Sequence, residues 1–497
     1  SGIKLQLIPE EAQYECSTIP EEAGTKFVLP WARDPASVGR REIGATAVRA
    51  GDINQLELEL LAVLRRSLLF LRHIKKAEVR RNGKVLLCCE LERPDESSLI
   101  LTYSPEQSIE RWHIIRGDAV EEAAHLAEEH ELLKTLNRSS KFSIALNMDA
   151  EYPKKGLLYA FLPTEQSTGL PLHINADFFP EADRKALIFS GNQHARYWNE
   201  MLIQAAAKEL ARDPVALSQM IGAESLWRII HQAFQITHDD AGYPASFSYF
   251  WSELKDTVPT SRVLPDTCDE LHIPGETFLP KGSSFSEEQK LALGRLNVRI
   301  VNEALSPYRN TLTKVGVSIL TLEQLVPILS ENLSTISTNG YRTTEELVEK
   351  FWIPLWSLID ELVPSRFIKN RTVEQLKSIR FLVSEDLYTV SAIDALQCKR
   401  VTDTPTASRL LKNIYVCHHK ITEYSNISNL VKDLDLQAVA KHLSTQIPQY
   451  GIGHCLRAEE GNLRDLYDFF ADIDAIHYSS DEVYSKLRGL PIWSSSQ

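Results

Sequence analysis

The chain has 497 residues, and at about 150 residues per domain this length corresponds to about three domains with a substantial buried core. Apolar residues make up 43% and charged residues 24% of the chain, which excludes a collagen-like or a wholly disordered protein. The formal net charge of −13 is opposite to the clustered positive charge with which proteins neutralise phosphates. We therefore do not expect nucleic acid as a partner.

The sequence predicts a cytoplasmic protein without a membrane contact. No apolar run reaches the roughly 20 residues that span a bilayer, and the first residues lack the basic-then-apolar pattern of a signal peptide. The seven cysteines are scattered and do not form a disulfide framework, which fits a reducing compartment. The chain opens with Ser-Gly and its first methionine is Met148, so we interpret it as a fragment of a longer protein.

The N-terminal part predicts two strands and then one long helix. Apolar residues at 4–8 and 25–29 indicate strands, and the glycine- and charge-rich stretch at 33–51 indicates a mobile connection. From Asp52, the predicted N-cap, apolar residues recur at three- and four-residue steps as far as Leu71. This spacing predicts an amphipathic helix.

Residues 36–195 carry the signals of an α+β domain. The pair Asn82-Gly83 between two β-prone runs is a strong hairpin signal. One acidic, alanine-rich helix is predicted over 119–136. Five further strands are predicted, at 99–103, 113–116, 142–148, 157–162 and 170–178. Together these elements predict a mixed sheet with helices.

After this domain the sequence predicts a mostly helical region with short strands. We expect a helical segment at 196–260, a long loop or domain joint at 256–284, and helical regions at 285–400 and 401–497. A weak internal repeat links 376–381 with 487–492, because both follow a helical run and end as a short strand. Four capping-box patterns mark helix starts, at Ser286, Thr321, Thr343 and Thr372.

Common nucleotide and zinc motifs are absent from the sequence. There is no G-x-x-x-x-G-K-S/T loop and no G-x-G-x-x-G that follows a strand. Cys88 and Cys89 are adjacent, which is not the spacing of zinc ligands.

The run Cys417-His418-His419 permits two interpretations. It could supply a nucleophile or a metal site, with His454 and Cys455 as partners. Alternatively, Cys417 ends a buried strand, since a free cysteine behaves as a small hydrophobic residue. We favour the second interpretation because neither an acid nor a glycine-rich elbow accompanies the run.

The densest cluster of unusual residues lies at 156–200. An apolar strand is followed by Leu-Pro, Thr-Gly-Leu-Pro, His-Ile-Asn-Ala-Asp-Phe, Asp-Arg and finally Trp198-Asn199. This succession resembles sacsin-type proteins, which are large relatives of the heat-shock ATPase chaperones in the gyrase, histidine kinase and MutL superfamily. The segment 24–29 resembles the strand that closes their nucleotide-binding domain, and 487–493 is similar to a recurring segment of the sacsin repeat. The resemblance is specific over 24–200 and diffuse over 201–497.

The resemblance implies that ATP and Mg bind to a separate N-terminal domain, of which residues 1–35 would be the trailing strands. An Asn-bearing helix, an Asp-x-Gly-x-Gly turn and a glycine-rich lid hold the nucleotide in that family, and this sequence contains none of them. Asn175-Ala-Asp177 copies part of the nucleotide helix, but an apolar strand precedes it. We therefore expect no cofactor in this chain, and neither firm ATP binding nor hydrolysis.

The domain at 36–195 resembles the transducer of this superfamily, which lends one basic side chain to the γ-phosphate. Such a cation stabilises the charge that develops on the transferred phosphoryl group. The resemblance makes Arg184 the first catalytic candidate and Lys185 the second. The alternative is that Arg184 pairs with Asp183 or Glu181 at a helix start.

The leading functional hypothesis is the transducer and helical client-binding region of a sacsin-like, ATP-driven chaperone or conformational machine. Its partners would be an ATPase domain in cis and a client or partner protein, and a homodimer stays open. One alternative is a non-enzymatic interaction scaffold, in a bacterial defence or nucleic-acid-associated system. Another is a hydrolase that depends on Cys417.

Overall fold

The computed structural model describes residues 13–19, 22–28, 49–71, 73–149, 155–238, 242–336, 343–364, 370–398 and 414–434. The chain divides into two units, Ser1–Val263 and Leu264–Gln497. Several predictions fall outside the described residues: the strand at 4–8, most of the connection at 33–51, the second repeat segment at 487–492, and His454 with Cys455.

The first unit is built on one mixed sheet of eight strands. A separate antiparallel hairpin of β1 (Gln13–Ile19) and β2 (Glu22–Val28) precedes it and contains most of the strand predicted at 25–29. The strands of the sheet are β3 (Lys76–Arg81), β4 (Lys84–Glu92), β5 (Ser98–Ser104), β6 (Ser108–Asp118), β7 (Lys141–Asn147), β8 (Leu157–Ala160), β9 (Leu162–Ser167) and β10 (Leu172–Ala176).

The strand order is β3-β4-β5-β6-β7-β10-β8-β9. Neighbours are antiparallel except β8 and β10, which pair in parallel. Asn82 and Gly83 both adopt positive φ between β3 and β4, as the predicted hairpin requires. The predicted α+β class, with a mixed sheet first and mostly helices with short strands afterwards, is confirmed.

Helix α1 (Ala50–Ser67) covers part of this sheet, and its end is buried against the core. Leu68 and Leu69 pack into one hydrophobic cluster with the inward-facing residues of β4, β5 and β6. The prediction of Asp52 as the N-cap is wrong, because Arg49 occupies that position. The Asp52 carboxylate instead accepts the Arg49 backbone N–H at 2.8 Å from inside the first turn.

Two helices replace the single helix predicted at 119–136. They are α2 (Val120–Glu129) and α3 (Glu131–Leu136), and His130 between them has an extended backbone. The His130 ring stacks on Tyr197 with 5.4 Å between ring centroids. This contact comes from a distant part of the chain, so the local pattern of alanines could not show the break.

Four further α-helices lie among the described residues of the first unit. The longest of them, α4, packs against β6 and β7 and buries most of its alanine and leucine side chains. The helices are α4 (Gln193–Ala211), α5 (Pro214–Ile221), α6 (Ala223–His238) and α7 (Ser248–Thr257). Among the described residues, no helix is long and apolar enough to cross a bilayer.

The second unit contains the same small arrangement of strands twice. Each copy is a two-stranded antiparallel hairpin followed by three parallel strands, of which the first in sequence is central. The first copy is β11 (Leu264–Pro265), β12 (Leu271–His272), β13 (Thr277–Leu279), β14 (Arg299–Ile300) and β15 (Ser318–Ile319). The second is β16 (Leu382–Val383), β17 (Thr389–Val390), β18 (Ala395–Gln397), β19 (Tyr415–Val416) and β20 (Lys432–Asp433).

Backbone hydrogen bonds establish which residues correspond in the two copies. Thr267 N–H donates to Ile300 O at 3.0 Å, and Glu385 N–H donates to Val416 O at 2.9 Å. Asn302 N–H donates to Pro265 O at 3.0 Å, and His418 N–H donates to Val383 O at 2.8 Å. The hairpin turns correspond as well, because Asp269 and Leu387 both have positive φ. The segment at 256–284 holds three short strands and is not one long loop. Its alternative interpretation as a domain joint is confirmed, because the boundary between the two units falls at Val263 and Leu264.

Helices connect and follow these strands. Ser286 forms the predicted capping box with Gln289, and Thr321 and Thr343 also start helices. The prediction at Thr372 is wrong, because the side chain of Asn370 is the N-cap and accepts the Thr372 N–H at 2.9 Å. The helices are α8 (Glu287–Arg295), α9 (Arg309–Lys314), α10 (Leu322–Asn332), α11 (Thr344–Leu347), α12 (Ile353–Leu362), α13 (Arg371–Ser378) and α14 (Ser425–Ser428), and a π-helix at Val348–Trp352 joins α11 to α12.

We predict that Gly156→Ala destabilises the first unit. A Cβ atom at Gly156, beside β8, would lie 1.6 Å from the carbonyl oxygen of Leu172 in β10, so the backbone of the sheet would have to move. Denaturant unfolding should show a loss of at least about 2 kcal/mol in the free energy of unfolding.

The matched control is Gly51→Ala in α1, where, within the described part of the chain, no atom outside the local helix backbone lies within 4 Å of the position that the new Cβ would take. There the substitution should leave stability unchanged or raise it by up to about 1 kcal/mol. Equal effects of the two substitutions would contradict the close approach of β8 and β10.

Candidate functional site

The two predicted catalytic residues lie in a short turn and not at a helix start. Pro180 and Leu187 form an isolated antiparallel bridge, and the turn between them contains Arg184 and Lys185. Arg184 adopts a left-handed backbone conformation with φ of 60°. Both basic side chains are exposed to solvent, so this turn presents two cations at the surface.

The turn is attached to the end of β8 and to the middle of β9. Nη2 of Arg184 donates to the carbonyl oxygen of Ala160 at 3.0 Å. Lys185 Nζ lies 2.9 Å from a carboxylate oxygen of Glu165, and this hydrogen bond raises the pKa of Lys185. The backbone N–H of Glu165 also donates to Lys185 O at 2.8 Å.

The alternative prediction, that the Arg184 guanidinium pairs with the carboxylate of Asp183 or Glu181, is wrong. The Asp183 carboxylate accepts the backbone N–H of Lys185 at 3.0 Å, and Glu181 contacts Arg184 through its backbone carbonyl at 2.9 Å. Within the described part of the chain the Arg184 guanidinium makes no ion pair, and Ala160 O is its hydrogen-bond acceptor.

Helix α4 holds the same turn from its other side through the Trp-Asn pair of the sequence signature. Asn199 is completely buried, and its Oδ1 accepts the Phe179 N–H at 2.8 Å. Its Nδ2 donates to Phe179 O at 2.9 Å and to Ile188 O at 3.0 Å. Trp198 Nε1 donates to Asp177 O at 2.9 Å. The segment 177–188, which we call the latch, is thus hydrogen-bonded to α4 at both of its ends.

The Asn-Ala-Asp run lies at the end of β10, as predicted, and both polar side chains serve the fold. Asn175 Oδ1 accepts the Phe161 N–H at 3.0 Å. The Asp177 carboxylate pairs with Arg138 at 2.7 Å, and the Arg138 guanidinium lies 3.6 Å from the ring centre of Phe179. These contacts leave the run unsuited to act as a nucleotide-binding helix.

The histidine of the signature, His173, is buried in the sheet. Its Nδ1 accepts the Leu157 N–H at 2.8 Å, and its ring contacts Trp112 and Tyr159. Burial lowers the pKa of His173 to about 3, so the imidazole is neutral at physiological pH. Its position on β10 stabilises the pairing with β8.

Sequence reasoning missed a partly buried carboxylate in the first unit. Glu110 on β6 accepts the Tyr103 hydroxyl at 2.9 Å and Trp112 Nε1 at 3.1 Å, and burial raises the pKa of Glu110. Nothing in its alternating strand pattern distinguishes it from an exposed acid. Both donors belong to the sheet, so we assign this carboxylate a structural role.

The second unit brings Glu385 next to the histidines that follow Cys417. His419 Nδ1 lies 3.0 Å from Glu385 Oε1, and the same oxygen accepts the His419 backbone N–H at 2.7 Å. Cys417 is 2% exposed and pairs with Ser384 in an isolated bridge, and burial raises the pKa of its thiol. The interpretation of Cys417 as the buried end of a strand is confirmed. A buried, protonated thiol is a poor nucleophile.

A cavity of about 440 Å³ lies at the carboxyl ends of β13 and β14 in the first copy. Three cations line it, Lys281, Lys290 and Arg309, and each is held by the protein. Lys281 Nζ donates to the carbonyl oxygen of Glu361 at 3.4 Å. Lys290 Nζ lies 2.6 Å from Glu287 and 2.6 Å from Glu303, and Arg309 donates to the carbonyl oxygens of Pro280 and Gly282. Such paired cations do not by themselves indicate a ligand.

No family model matches the chain, and neither curated proteins nor solved structures give a match. The functional assignment therefore rests on the residues of the chain.

We predict that His173 makes the stability of the first unit depend on pH. Its pKa is about 3 in the folded chain and about 6.5 when unfolded, so only the unfolded chain takes up this proton between those values. Stability should therefore fall as the pH is lowered from about 6.5, by up to about 1.4 kcal/mol per pH unit from this residue.

The measurement is urea unfolding of the chain and of His173→Gln from pH 4.5 to 7. The variant should lose this contribution and show a shallower pH dependence. His125→Gln is the matched control, since His125 is an exposed helical histidine and should leave the slope unchanged. Parallel pH curves for the chain and for His173→Gln would rule out the buried neutral imidazole.

Proposed function

We propose that the α+β domain at 36–195 is the transducer of a sacsin-like, ATP-driven chaperone or conformational machine, and that the helical regions after it bind a client or partner protein. The proposal is supported by the sequence resemblance over 24–200 and by the α+β sheet that carries the residues of that resemblance. ATP and Mg would bind to a nucleotide-binding domain joined to this chain. We further propose that the machine works in the cytoplasm and that two copies of it can associate.

One observation carries the proposal: the latch connects the exposed cations to a buried helix. On the sheet side it is fixed by Arg184 and by the backbone of Lys185. On the helix side Asn199 fixes it with three hydrogen bonds in a fully buried position. Buried hydrogen bonds of this kind are costly to leave unsatisfied, so a displacement of the latch would move α4 with it.

The chemistry of Arg184 suits a role at the γ-phosphate. A guanidinium carries five N–H donors, and the bond to Ala160 O uses one of them. The remaining donors can therefore contact phosphate oxygens while the latch stays in place. Lys185 is the second candidate, but it would first have to leave Glu165.

Docking of Arg184 on bound ATP would then be the step that couples nucleotide state to conformation. ATP binding would favour the position of the latch that contacts the phosphate, and hydrolysis would release it. Because α4 follows the latch, the packing of the helical layer of the first unit would differ between the two states.

The first test is an ATPase assay of residues 1–497 alone, for which we expect no activity. Turnover by this chain would contradict the assignment of the nucleotide to another domain. When the chain is joined to its nucleotide-binding domain, Arg184→Ala should lower the hydrolysis rate by at least about 100-fold and leave nucleotide binding intact.

Arg212→Ala is the matched control. Arg212 is the exposed C-cap residue of α4 and pairs with Glu209 of the same helix, so its removal should leave the rate unchanged. Equal rates for Arg184→Ala, Lys185→Ala and the unchanged chain would favour the interaction scaffold.

A further inference from the structure

We propose that Glu385, His418 and His419 form a binding site for a divalent transition metal ion, for which Zn²⁺ is the best match. These three residues each place one possible ligand atom within 4.8 Å of the other two. The site belongs to the second copy of the repeated strand arrangement. It is independent of the function proposed for the first unit.

The backbone of the second copy brings the three residues together. Glu385 follows β16, and its N–H donates to the carbonyl oxygen of Val416 in β19 at 2.9 Å. The N–H of His418 donates in turn to Val383 O of β16 at 2.8 Å. These two backbone hydrogen bonds hold the end of β16 beside the end of β19. The Glu385 carboxylate therefore lies next to the imidazoles of His418 and His419.

The side chains already stand close to the separation that a shared ion requires. Ligands of a tetrahedral zinc ion at about 2.1 Å lie roughly 3.4 Å from one another. His419 Nδ1 and Glu385 Oε1 are 3.0 Å apart. Among the described residues Glu385 Oε2 accepts no hydrogen bond, so a carboxylate oxygen is available to a cation.

The two imidazoles face the site as a stacked pair. Their ring centroids are 4.3 Å apart with an angle of 24° between the planes. His418 Nδ1 accepts the Lys420 N–H at 3.3 Å, which is a long hydrogen bond to an unprotonated nitrogen. The Lys420 ammonium is paired with Glu423 at 2.8 Å and does not pair with Glu385.

Comparison of the two copies shows that the fold does not require these histidines. In the first copy the corresponding residues are Thr267, Asn302 and Glu303. Asn302 caps the following turn by accepting the Ala304 N–H at 2.9 Å, which is the role that His418 has towards Lys420. In the first copy a shorter polar residue, Asn302, therefore caps the turn. The fold of the second copy does not require imidazole rings at His418 and His419, so these rings are available for binding.

The ligand chemistry selects the ion. Two imidazole nitrogens and one carboxylate suit Zn²⁺ and its first-row neighbours, whereas Ca²⁺ and Mg²⁺ prefer oxygen ligands only. Three protein ligands leave a fourth position for water or another ligand. Since His419 is partly exposed, an ion can enter from solvent.

A second cluster of possible ligands, Asp266, Glu270 and His272, is a weaker candidate. Both carboxylate oxygens of Asp266 are used within the hairpin. Oδ1 accepts the N–H groups of Cys268 and Glu270, and Oδ2 lies 2.9 Å from His272 Nε2. This cluster provides the internal control for the experiment.

The experiment is isothermal titration of the full chain with Zn²⁺, compared with variants at the site. His418→Asn is the main variant, because it reproduces the residue of the first copy and keeps a cap for the turn. It should weaken binding of one zinc equivalent by at least about 10-fold, and so should Glu385→Gln and His419→Ala. Two control variants should leave this zinc equivalent in place. They are His125→Ala, which removes an exposed helical histidine beside Glu129, and His272→Ala in the second cluster.

Cobalt(II) substitution adds a spectroscopic readout. The site should give d–d bands without a thiolate charge-transfer band, and these bands should be lost in His418→Asn. Absence of zinc binding, unchanged binding in His418→Asn, or loss of binding only in His272→Ala would each overturn the proposal.

Discussion

The completely buried amide of Asn199 is the constraint on which the first unit depends. Its oxygen and nitrogen make three hydrogen bonds, all of them to backbone groups at the ends of the latch. An aspartate could not donate and a leucine could not bond at all, so the position is specific to an amide. Together with Trp198, which binds Asp177 O, this side chain joins the surface turn with Arg184 and Lys185 to α4. The proposed transducer function needs that rigidity, since a loose turn could carry a cation but could not move a helix.

The second unit is organised by repetition. Its parallel strands are only two or three residues long, and each copy depends on hydrogen bonds from the hairpin to the strand ends. In both copies polar side chains follow the carboxyl end of a parallel strand, Asn302 after β14 and His418 with His419 after β19, where α/β proteins commonly bind ligands. Glu385 joins the histidines from the hairpin strand β16. The first copy holds a cavity there, with its cations paired to acids and carbonyls. The second copy holds two imidazoles and a carboxylate instead.

Local signals predicted the elements whose cause is local. Asn82-Gly83 specified its hairpin because both residues tolerate positive φ, and Ser286 specified a helix start because Gln289 completes its capping box. Contacts from distant residues could not be predicted in this way. His130 breaks a helix where it stacks on Tyr197, and no window around 119–136 contains that partner.

In the candidate sites, too, the sequence predicted single residues and local runs but not their contacts with distant residues. The sequence identified Arg184 and the Cys417 run, but not that Arg184 binds Ala160 O or that Glu385 lies beside His419. Both partners are distant in the chain and are brought near by strand pairing. The repeated arrangement was also hidden, since strands of two residues carry no periodicity. The repeat segment predicted at 376–381 shares its first half with helix α13, and strand β16 begins directly after it.

The central claim is that the latch couples the position of its surface turn to that of α4. A double-mutant cycle of Arg184→Ala and Asn199→Ala tests this coupling most directly. The two side chains share no hydrogen bond with each other, and the latch joins them, because Arg184 belongs to it and Asn199 binds its ends. We predict that the two losses in the free energy of unfolding are non-additive by at least about 1 kcal/mol. Additivity within about 0.3 kcal/mol would mean that the turn and the helix respond independently, and would contradict the account.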